Sequence, residues 1–343
     1  MPGHDIIVAG ASAGGMEALQ ILVRGLPADL PAALFVVWHL PPHSFGVLPD
    51  VLDRSGPLPA AHARDGEPIV PGRIYVAPPD RHLLLEPGYV RLTRGPKENH
   101  FRPVIDPLFR SAAIAYGPRV VGVVLSGTLD DGTAGLWTIK DRGGLAVVQD
   151  PDDALFAAMP RSALENVDVD ARRPVAELGP VLAVLAQHPA KDAGGKSVSE
   201  ELNIENRIAM EENALERGVT KLGTPSLYTC PECHGVLLQL HGDGPLRFRC
   251  HTGHAFTADA LVAQASEMIE ENLWNVVRAM DENLLLLRQI ADQLRAAGNL
   301  AAAERLLDQA RAVEQQTQIV RQVAMEHAAP DNGGQQGAGG KAS

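Results

Sequence analysis

At 343 residues the chain is long for one compact core and sufficient for two modules, and its 45% hydrophobic content supports a sizeable interior. Aromatic residues make up only 4% and the formal charge is −12, which argues against nucleic acid as a partner, whether bound by stacking or through phosphates. No apolar run approaches the roughly 20 residues that a membrane-spanning helix needs, and the start MPGHD lacks the basic flank of a signal peptide. The expectation is a cytoplasmic protein with no membrane insertion.

From Asp5 to about Pro189, short apolar runs alternate with helical patterns. IIVAG (6–10) reads as a buried strand, and residues 14–23 carry Met16, Leu19, Leu22 and Val23 at helical spacing. ALFVVWHL (33–40) is a second strand. Residues 57–97 are rich in Pro and Gly and hold IYVA, HLLLE and YVRLT, with Pro87-Gly88 marking a hairpin turn. A helix is expected after Pro107, a buried strand over 120–126 (VVGVVLS), a helix over 135–141 and a strand over 145–149. Near-continuous apolar strands alternating with helices predict a doubly wound α/β domain over residues 1–190, its mostly parallel sheet covered on both faces.

A polar, Gly-containing stretch (188–200) marks the expected boundary, followed over 191–227 by linker and an acidic helix at 202–217. All three cysteines fall in the next segment, 228–257. Cys230-Pro-Glu-Cys233 and Cys250-x₃-His254 flank a β-hairpin pattern turning at HGDGP, a Cys₃His set with zinc-ribbon-like spacing. A redox pair or inert thiols are the alternatives, and His234 and His251 are rival nitrogen ligands. With no obvious open position, the zinc expected here is structural. Residues 258–328 read as two long helices turning at AAGN, an antiparallel hairpin whose signalling partner the sequence does not name. Residues 329–343 read as a disordered tail. The α/β domain is expected to be independent of the ribbon, so that activity on a small ester survives metal removal.

Ser12 lies in Gly10-Ala11-Ser12-Ala13-Gly14, which satisfies G-x-S-x-G between an expected strand and an expected helix, the context of a nucleophile elbow. The same turn could instead bind phosphate, but GASAGG lacks the dinucleotide spacing and His39, not an acidic residue, closes the second strand. His39 and the pair Asp130-Asp131 are all expected at the carboxyl edge of the sheet, where open α/β proteins gather their active sites. A Ser, a His and an Asp on three strand ends make a triad plausible, although a turn role fits each singly.

IIVAGASAGG, VVWHLPP, HFRPVIDPLFRSAA, VVLSGTLDDGTAGL and ALFAAMPRSAL resemble, in order and spacing, the blocks of the chemotaxis protein-glutamate methylesterase (CheB-type) domain, and together they span nearly all of residues 5–187. The resemblance implies Ser12 as nucleophile, His39 as general base and Asp131 as orienting carboxylate, with the backbone N–H groups of Ala13 and Thr128 holding the oxyanion. It implies hydrolysis of glutamyl methyl esters on chemoreceptor helices with release of methanol, related glutamine deamidation, and no cofactor for catalysis. Two departures stand out: the family commonly has Thr in place of Ala13 and Met-Gly in place of Thr128-Leu129. Members often carry a receiver domain ahead of the esterase, and the first strand at about Asp5 leaves none expected here. A non-catalytic signalling scaffold and a general small-ester carboxylesterase are the rival readings. The basic run Arg91, Arg94, Lys97 and Arg102 is read first as a solvated surface and second as a contact for acidic receptor helices.

Overall fold

The protein is described by a computed structural model covering residues 3–39, 46–190, 197–242 and 244–327. The expected tail at 329–343, residues 191–196 of the polar linker and Asp243 of the HGDGP turn lie outside the described residues. Two compact units result, Met1–Leu261 and Val262–Ser343.

In the first unit, β1 (Ile6–Ala11) leads through α1 (Gly15–Arg24) to β2 (Ala33–Trp38), α2 (Leu48–Ser55), β3 (Ala60–His62) and β4 (Ile74–Val76). An antiparallel hairpin, β5 (His82–Glu86) and β6 (Tyr89–Thr93), turns at Pro87-Gly88. There follow α3 (Ile105–Tyr116), β7 (Val120–Val124), α4 (Thr133–Asp141), β8 (Leu145–Gln149), α5 (Ala158–Asn166), β9 (Ala171–Arg173) and α6 (Val175–Gln187). Seven strands form one sheet in the order β3-β4-β2-β1-β7-β8-β9, and every pairing in it is parallel.

Alternation along the strands explains the layering. Ile6 and Val8 point to a core shared with Leu108 and Phe109 of α3 and Leu136 and Ile139 of α4. Ile7 and Ala9 point to the opposite core, with Leu19 and Leu22 of α1, Leu52 of α2 and Leu182 of α6. With both faces covered, the strands lose the polar alternation of a half-exposed sheet and read as continuous apolar runs. Each fully buried aliphatic or aromatic side chain contributes roughly 1.5–3 kcal/mol to this packing.

Three boundaries differ from expectation. α3 starts at Ile105 and keeps Pro107 in its first turn, where a missing N–H costs nothing because that donor has no intrahelical acceptor. α4 starts at Thr133. The acidic helix, α7 (Glu200–Ala209), stops well short of 217. Glu211 there takes a φ of 68°, and the Asn213 side chain accepts from the Leu215 N–H at 3.0 Å, a turn that competes with the helical ladder.

β10 (Gly223–Thr229), β11 (Val236–Leu240), β12 (Arg247–Cys250) and β13 (Ala255–Thr257) form a four-stranded antiparallel sheet within the same compact unit. This ribbon packs directly on the α/β sheet domain. Glu98 forms a parallel bridge with Ala255, extending the ribbon sheet by one short segment. Around that bridge lies a buried charge cluster. Glu98 Oε1 accepts from Arg110 at 2.6 Å and from Arg249 at 2.9 Å, and Glu205 accepts from Arg249 at 3.1 Å and Arg247 at 2.9 Å. Arg249 is fully buried.

α8 (Ala258–Ala296) starts in the first unit and continues into the second, where α9 (Leu300–His327) follows. In the second unit Val277, Leu284 and Ala291 of α8, and Ala303, Ala310, Thr317 and Ala324 of α9, are buried at seven-residue spacing. Arg288–Glu314 (2.9 Å) and Arg321–Asp281 (2.6 Å) link the antiparallel pair.

The cluster sets an acid limit on stability. Burial alone would raise the Glu98 carboxyl, but Arg110 and Arg249 outweigh it and hold the group down at about 2, from an ordinary 4.5. A lowered carboxylate stabilises the fold above the ordinary range and loses that contribution as pH falls through about 2. Urea unfolding of the full chain should therefore weaken steadily below pH 4.5. Glu98→Gln should unfold about 3–5 kcal/mol more easily at neutral pH, because it leaves buried guanidinium charge uncompensated. It should also show a shallower acid slope, and parallel slopes for the two proteins would refute this account.

Candidate active site

β1, β2 and β7 are adjacent in the sheet, and their carboxyl ends form the topological switch point: the chain leaves β1 for β2 on one side and returns later to β7 on the other. Ser12 follows β1, His39 follows β2, and Asp131 sits in the turn between β7 and α4. The elbow needs its glycines. A Cβ on Gly10 would lie 2.4 Å from the Ile105 side chain, and Gly14 adopts a φ of 70° before α1. The Ser12 carbonyl accepts from Trp38 Nε1 at 2.8 Å and from the Gly15 N–H at 2.9 Å, and the Ser12 N–H donates to the Ser126 carbonyl at 3.0 Å. The nucleophile candidate is thus fixed on three sides.

The three side chains form one hydrogen-bonded line. His39 Nδ1 lies 3.1 Å from Ser12 Oγ, and His39 Nε2 lies 2.7 Å from Asp131 Oδ2. An ionised carboxylate only accepts, so Nε2 carries the proton and Nδ1 is the acceptor facing the serine hydroxyl. Asp131 Oδ2 also accepts from the Ile105 N–H at 2.8 Å, at the start of α3, and Oδ1 lies 3.4 Å from Asn99 Nδ2. Both the imidazole and the carboxylate are nearly closed off from solvent, with side chains 6% and 4% exposed.

Asp130, next in sequence, turns the other way and accepts from Thr257 Oγ1 of the ribbon at 2.6 Å. Burial raises its carboxyl to about 6. Ala13 follows Ser12 at the entry to α1, where first-turn N–H groups lack intrahelical acceptors, and its carbonyl accepts from Ser126 Oγ at 2.8 Å. Thr128 is exposed on the loop after β7. Its neighbour Leu129, standing where the resembled family has Gly, holds a φ of 58°. Among the basic residues, Arg91 pairs with Asp65, Arg94 and Arg102 with Asp80, and Lys97 with Glu232, so the run is largely neutralised within the fold.

Sequence reasoning missed several contributors. The Phe101 ring stacks on His39, with centroids 4.4 Å apart and planes 1° from parallel. Its position in the HFRP block was the one signal that could have flagged it. Trp38 had the same signal from its place in VVWHLPP, whereas Asn99 and Thr257 carried none. Exposed Phe101, Leu129, Leu155 and Phe156 give the loops beside Ser12 an apolar rim.

Elsewhere in the unit, Cys230, Cys233, Cys250 and His254 come together, their ligand atoms all within 4.8 Å of one another. Cys233 Sγ to Cys250 Sγ is 3.6 Å, Cys250 Sγ to His254 Nδ1 is 3.6 Å and Cys230 Sγ to His254 Nδ1 is 3.8 Å. A tetrahedral zinc with bonds of about 2.0–2.3 Å has ligand–ligand edges of roughly this length. The Thr252 hydroxyl donates to Cys233 Sγ at 3.2 Å. Hydrogen bonding from Cys230, and then from His254, favours the Cys250 thiolate, the form that binds metal. His234 and His251 are not among the four clustered donors.

A wholly parallel sheet with hydrogen-bonded Ser, His and Asp side chains on its carboxyl edge is the architecture of an α/β serine hydrolase. The chain belongs to the CheB methylesterase family, whose model matches residues 7–182. A protein-glutamate methylesterase/protein-glutamine glutaminase 2 of Anaeromyxobacter dehalogenans is 41% identical over 183 residues, which is 53% of this chain and 54% of that one. A relative from Leptospira interrogans is 40% identical over 168 residues, 49% of this chain and 87% of its own length. The crystal structure of the Thermotoga maritima CheB methylesterase catalytic domain superimposes with a TM-score of 0.52 at 32% identity, over 54% of this chain and 99% of that domain. The chain therefore spans about half the length of the Anaeromyxobacter relative. Among the described residues, no helix is long and apolar enough to cross a membrane.

Asp106 makes a second electrostatic feature testable. Burial first, and the charge of Asp131 second, raise its carboxyl to about 8 from an ordinary 3.8, so it is largely neutral at pH 7. A raised group contributes its full stabilisation below the ordinary range and loses it as pH rises through about 8. Asp106→Asn fixes the neutral form and keeps the acceptor for the Gly135 N–H, which lies 2.7 Å away. The variant should show a flatter decline in stability across this window, read by urea unfolding at successive pH values. A decline as steep as that of the parent would show that Asp106 is ionised in the folded protein.

Proposed function

We propose that the chain is a serine hydrolase that removes methyl esters from glutamate side chains of chemoreceptor proteins, releasing methanol, and that glutamine deamidation is a related activity of the same site. The observation that carries this reading is the Ser12–His39–Asp131 hydrogen-bonded line on the sheet edge of a CheB-family domain. Ser12 attacks the γ-carbonyl while His39 Nδ1 takes its proton. Asp131 holds the imidazole tautomer and stabilises the imidazolium. The backbone N–H groups of Ala13 and Thr128 are assigned to hold the developing oxyanion. His39 returns the proton to the departing methoxide, and water attacking the acyl-enzyme frees the glutamate. The apolar rim suits the methyl ester and the aliphatic stem of a glutamyl side chain extended from a receptor helix. No cofactor enters the chemistry. We assign a structural zinc to Cys230, Cys233, Cys250 and His254, because three thiols and an imidazole with tetrahedral edges form a closed donor set. A cytoplasmic location fits this reading, because three cysteines gathered in one metal-binding set, with none spread as disulfide staples, suit a reducing compartment.

Methanol release from methylated receptor, compared with release from a free aromatic ester, separates this function from a general carboxylesterase. Ser12→Ala and His39→Ala should each lower the rate on the order of 10⁴-fold or more with the fold intact. Asp131→Asn should approach that loss, whereas Asp130→Asn, which faces Thr257, should cost far less. Near-parental methanol release by Ser12→Ala would remove the esterase reading, and equal damage at both aspartates would remove the assignment of the carboxylate.

A further inference from the structure

The ribbon reaches the Ser12–His39–Asp131 line through the segment 97–101 and, beside it, through Asp130, which Thr257 holds at 2.6 Å. Both metal-facing turns hold the segment 97–101. Beside His254, the Ala255 carbonyl accepts from the Asn99 N–H at 2.8 Å, and the Ala255 N–H donates to the Lys97 carbonyl at 3.3 Å. The Gly253 carbonyl accepts from Arg249 at 2.7 Å, and Arg249 holds Glu98. In the other turn, between Cys230 and Cys233, Glu232 pairs with His100 at 2.5 Å and with Lys97 at 3.5 Å. From the held segment two side chains reach inward. Asn99 Oδ1 accepts from the Thr257 N–H at 2.9 Å while its Nδ2 faces Asp131 Oδ1, and Phe101 lies flat on His39.

Asn99 and His100 adopt consecutive φ values of 48° and 70°. Two adjacent non-glycine residues in the left-handed region persist only where their surroundings impose the conformation. Here the imposing contacts come from Ala255, Thr257 and Glu232, all on the ribbon. A unit as small as the ribbon depends on its ion for order, so whatever the ribbon holds depends on the ion as well.

We propose that the ribbon is a working part of the esterase site: metal at Cys230, Cys233, Cys250 and His254 orders segment 97–101, through which Asn99 and Phe101 position Asp131 and His39. The inference rests on the esterase and zinc readings above and reverses the expectation that the α/β domain works independently of the ribbon. Asn99 is a positioning residue, acting through Asp131. Metal loss leaves Ser12 in its elbow, which the sheet and Trp38 hold, and Asp131 on the Ile105 N–H, but frees the Phe101 ring that covers the imidazole and the Asn99 amide that faces Asp131 Oδ1.

The test uses the full chain loaded with zinc and p-nitrophenyl acetate, an ester small enough to need no docking. Chelation should lower kcat about 10–100-fold, the scale of a displacement near 1 Å in a catalytic group, with KM little changed, and added zinc should restore it. The low-field proton resonance of the His39–Asp131 hydrogen bond should fade and return in step. Asn99→Asp keeps a residue suited to the left-handed backbone and keeps the Thr257 acceptor, but exchanges the amide donor for a carboxylate facing Asp131. It should retain its zinc, lose kcat to a similar extent, and lose little more when stripped. Full kcat and an unchanged resonance in the stripped protein, parental kcat in Asn99→Asp, or absence of bound zinc by elemental analysis would each overturn the proposal. If the parent shows no Ser12-dependent turnover, the esterase reading fails instead, and the proton resonance still decides whether metal controls the His39–Asp131 geometry.

Discussion

The carboxylate of Asp131 is the fixed point of the site. It takes the His39 Nε2–H and the Ile105 N–H on one oxygen and faces the Asn99 amide with the other. These partners come from β2, α3 and the segment before α3, so the group is in place only when the sheet, the helix layer and that segment are all assembled. The close fit of Gly10 against Ile105 ties the strand that leads to Ser12 to the residue whose N–H anchors the carboxylate. Backbone packing thus sets the distance between the ends of the catalytic line, and the imidazole spans it.

What could be read from the sequence follows from what local pattern encodes. Strands buried on both faces wrote themselves as apolar runs, and G-x-S-x-G between strand and helix located Ser12. The position of His39 at the end of β2 followed from the same pattern. The choice between Asp130 and Asp131 rested on a motif, and only the fold shows the two carboxylates facing opposite ways, one to Thr257 and one to His39. Thr257 lies 127 residues from Asp130 and 158 from Asn99. No periodicity reaches across such separations, so the contacts were invisible until the chain was folded. The end of α7 departs from its composition for a related reason. Its acidic composition continues past Ala209, but the Asn213 turn and the left-handed Glu211 redirect the backbone.

The interface between ribbon and sheet domain is charged where a domain core would be apolar. Glu98, Glu205, Arg110, Arg247 and Arg249 are brought out of water together, and the desolvation this requires makes such a cluster a poor source of net stability. What it supplies is register. A guanidinium buried as deeply as that of Arg249 tolerates few alternative positions, because any slip leaves it unpaired. An apolar contact of the same area would permit sliding. The ribbon is therefore seated in one way, with Glu98 aligned to Ala255, and Asn99 and Phe101 inherit their placement from that alignment.

Backbone strain near the site bears on the same point. Asn99, His100 and Leu129 are non-glycine residues in the left-handed region, each at a cost on the order of 1 kcal/mol. Leu129 follows β7 on the loop that carries Thr128, and it keeps this conformation where the resembled family has a glycine that would hold it freely. A fold sustains such residues only by surrounding them with bonds that an unstrained backbone would break. For Asn99 those bonds are the ones to Ala255 and Thr257, and the Glu232 carboxylate lies against the His100 ring. For the Leu129 loop, the neighbouring Asp130 is tied to Thr257. The strained segment 99–100 and the loop that carries Leu129 thus share supports on one small sheet, through Ala255 and Thr257.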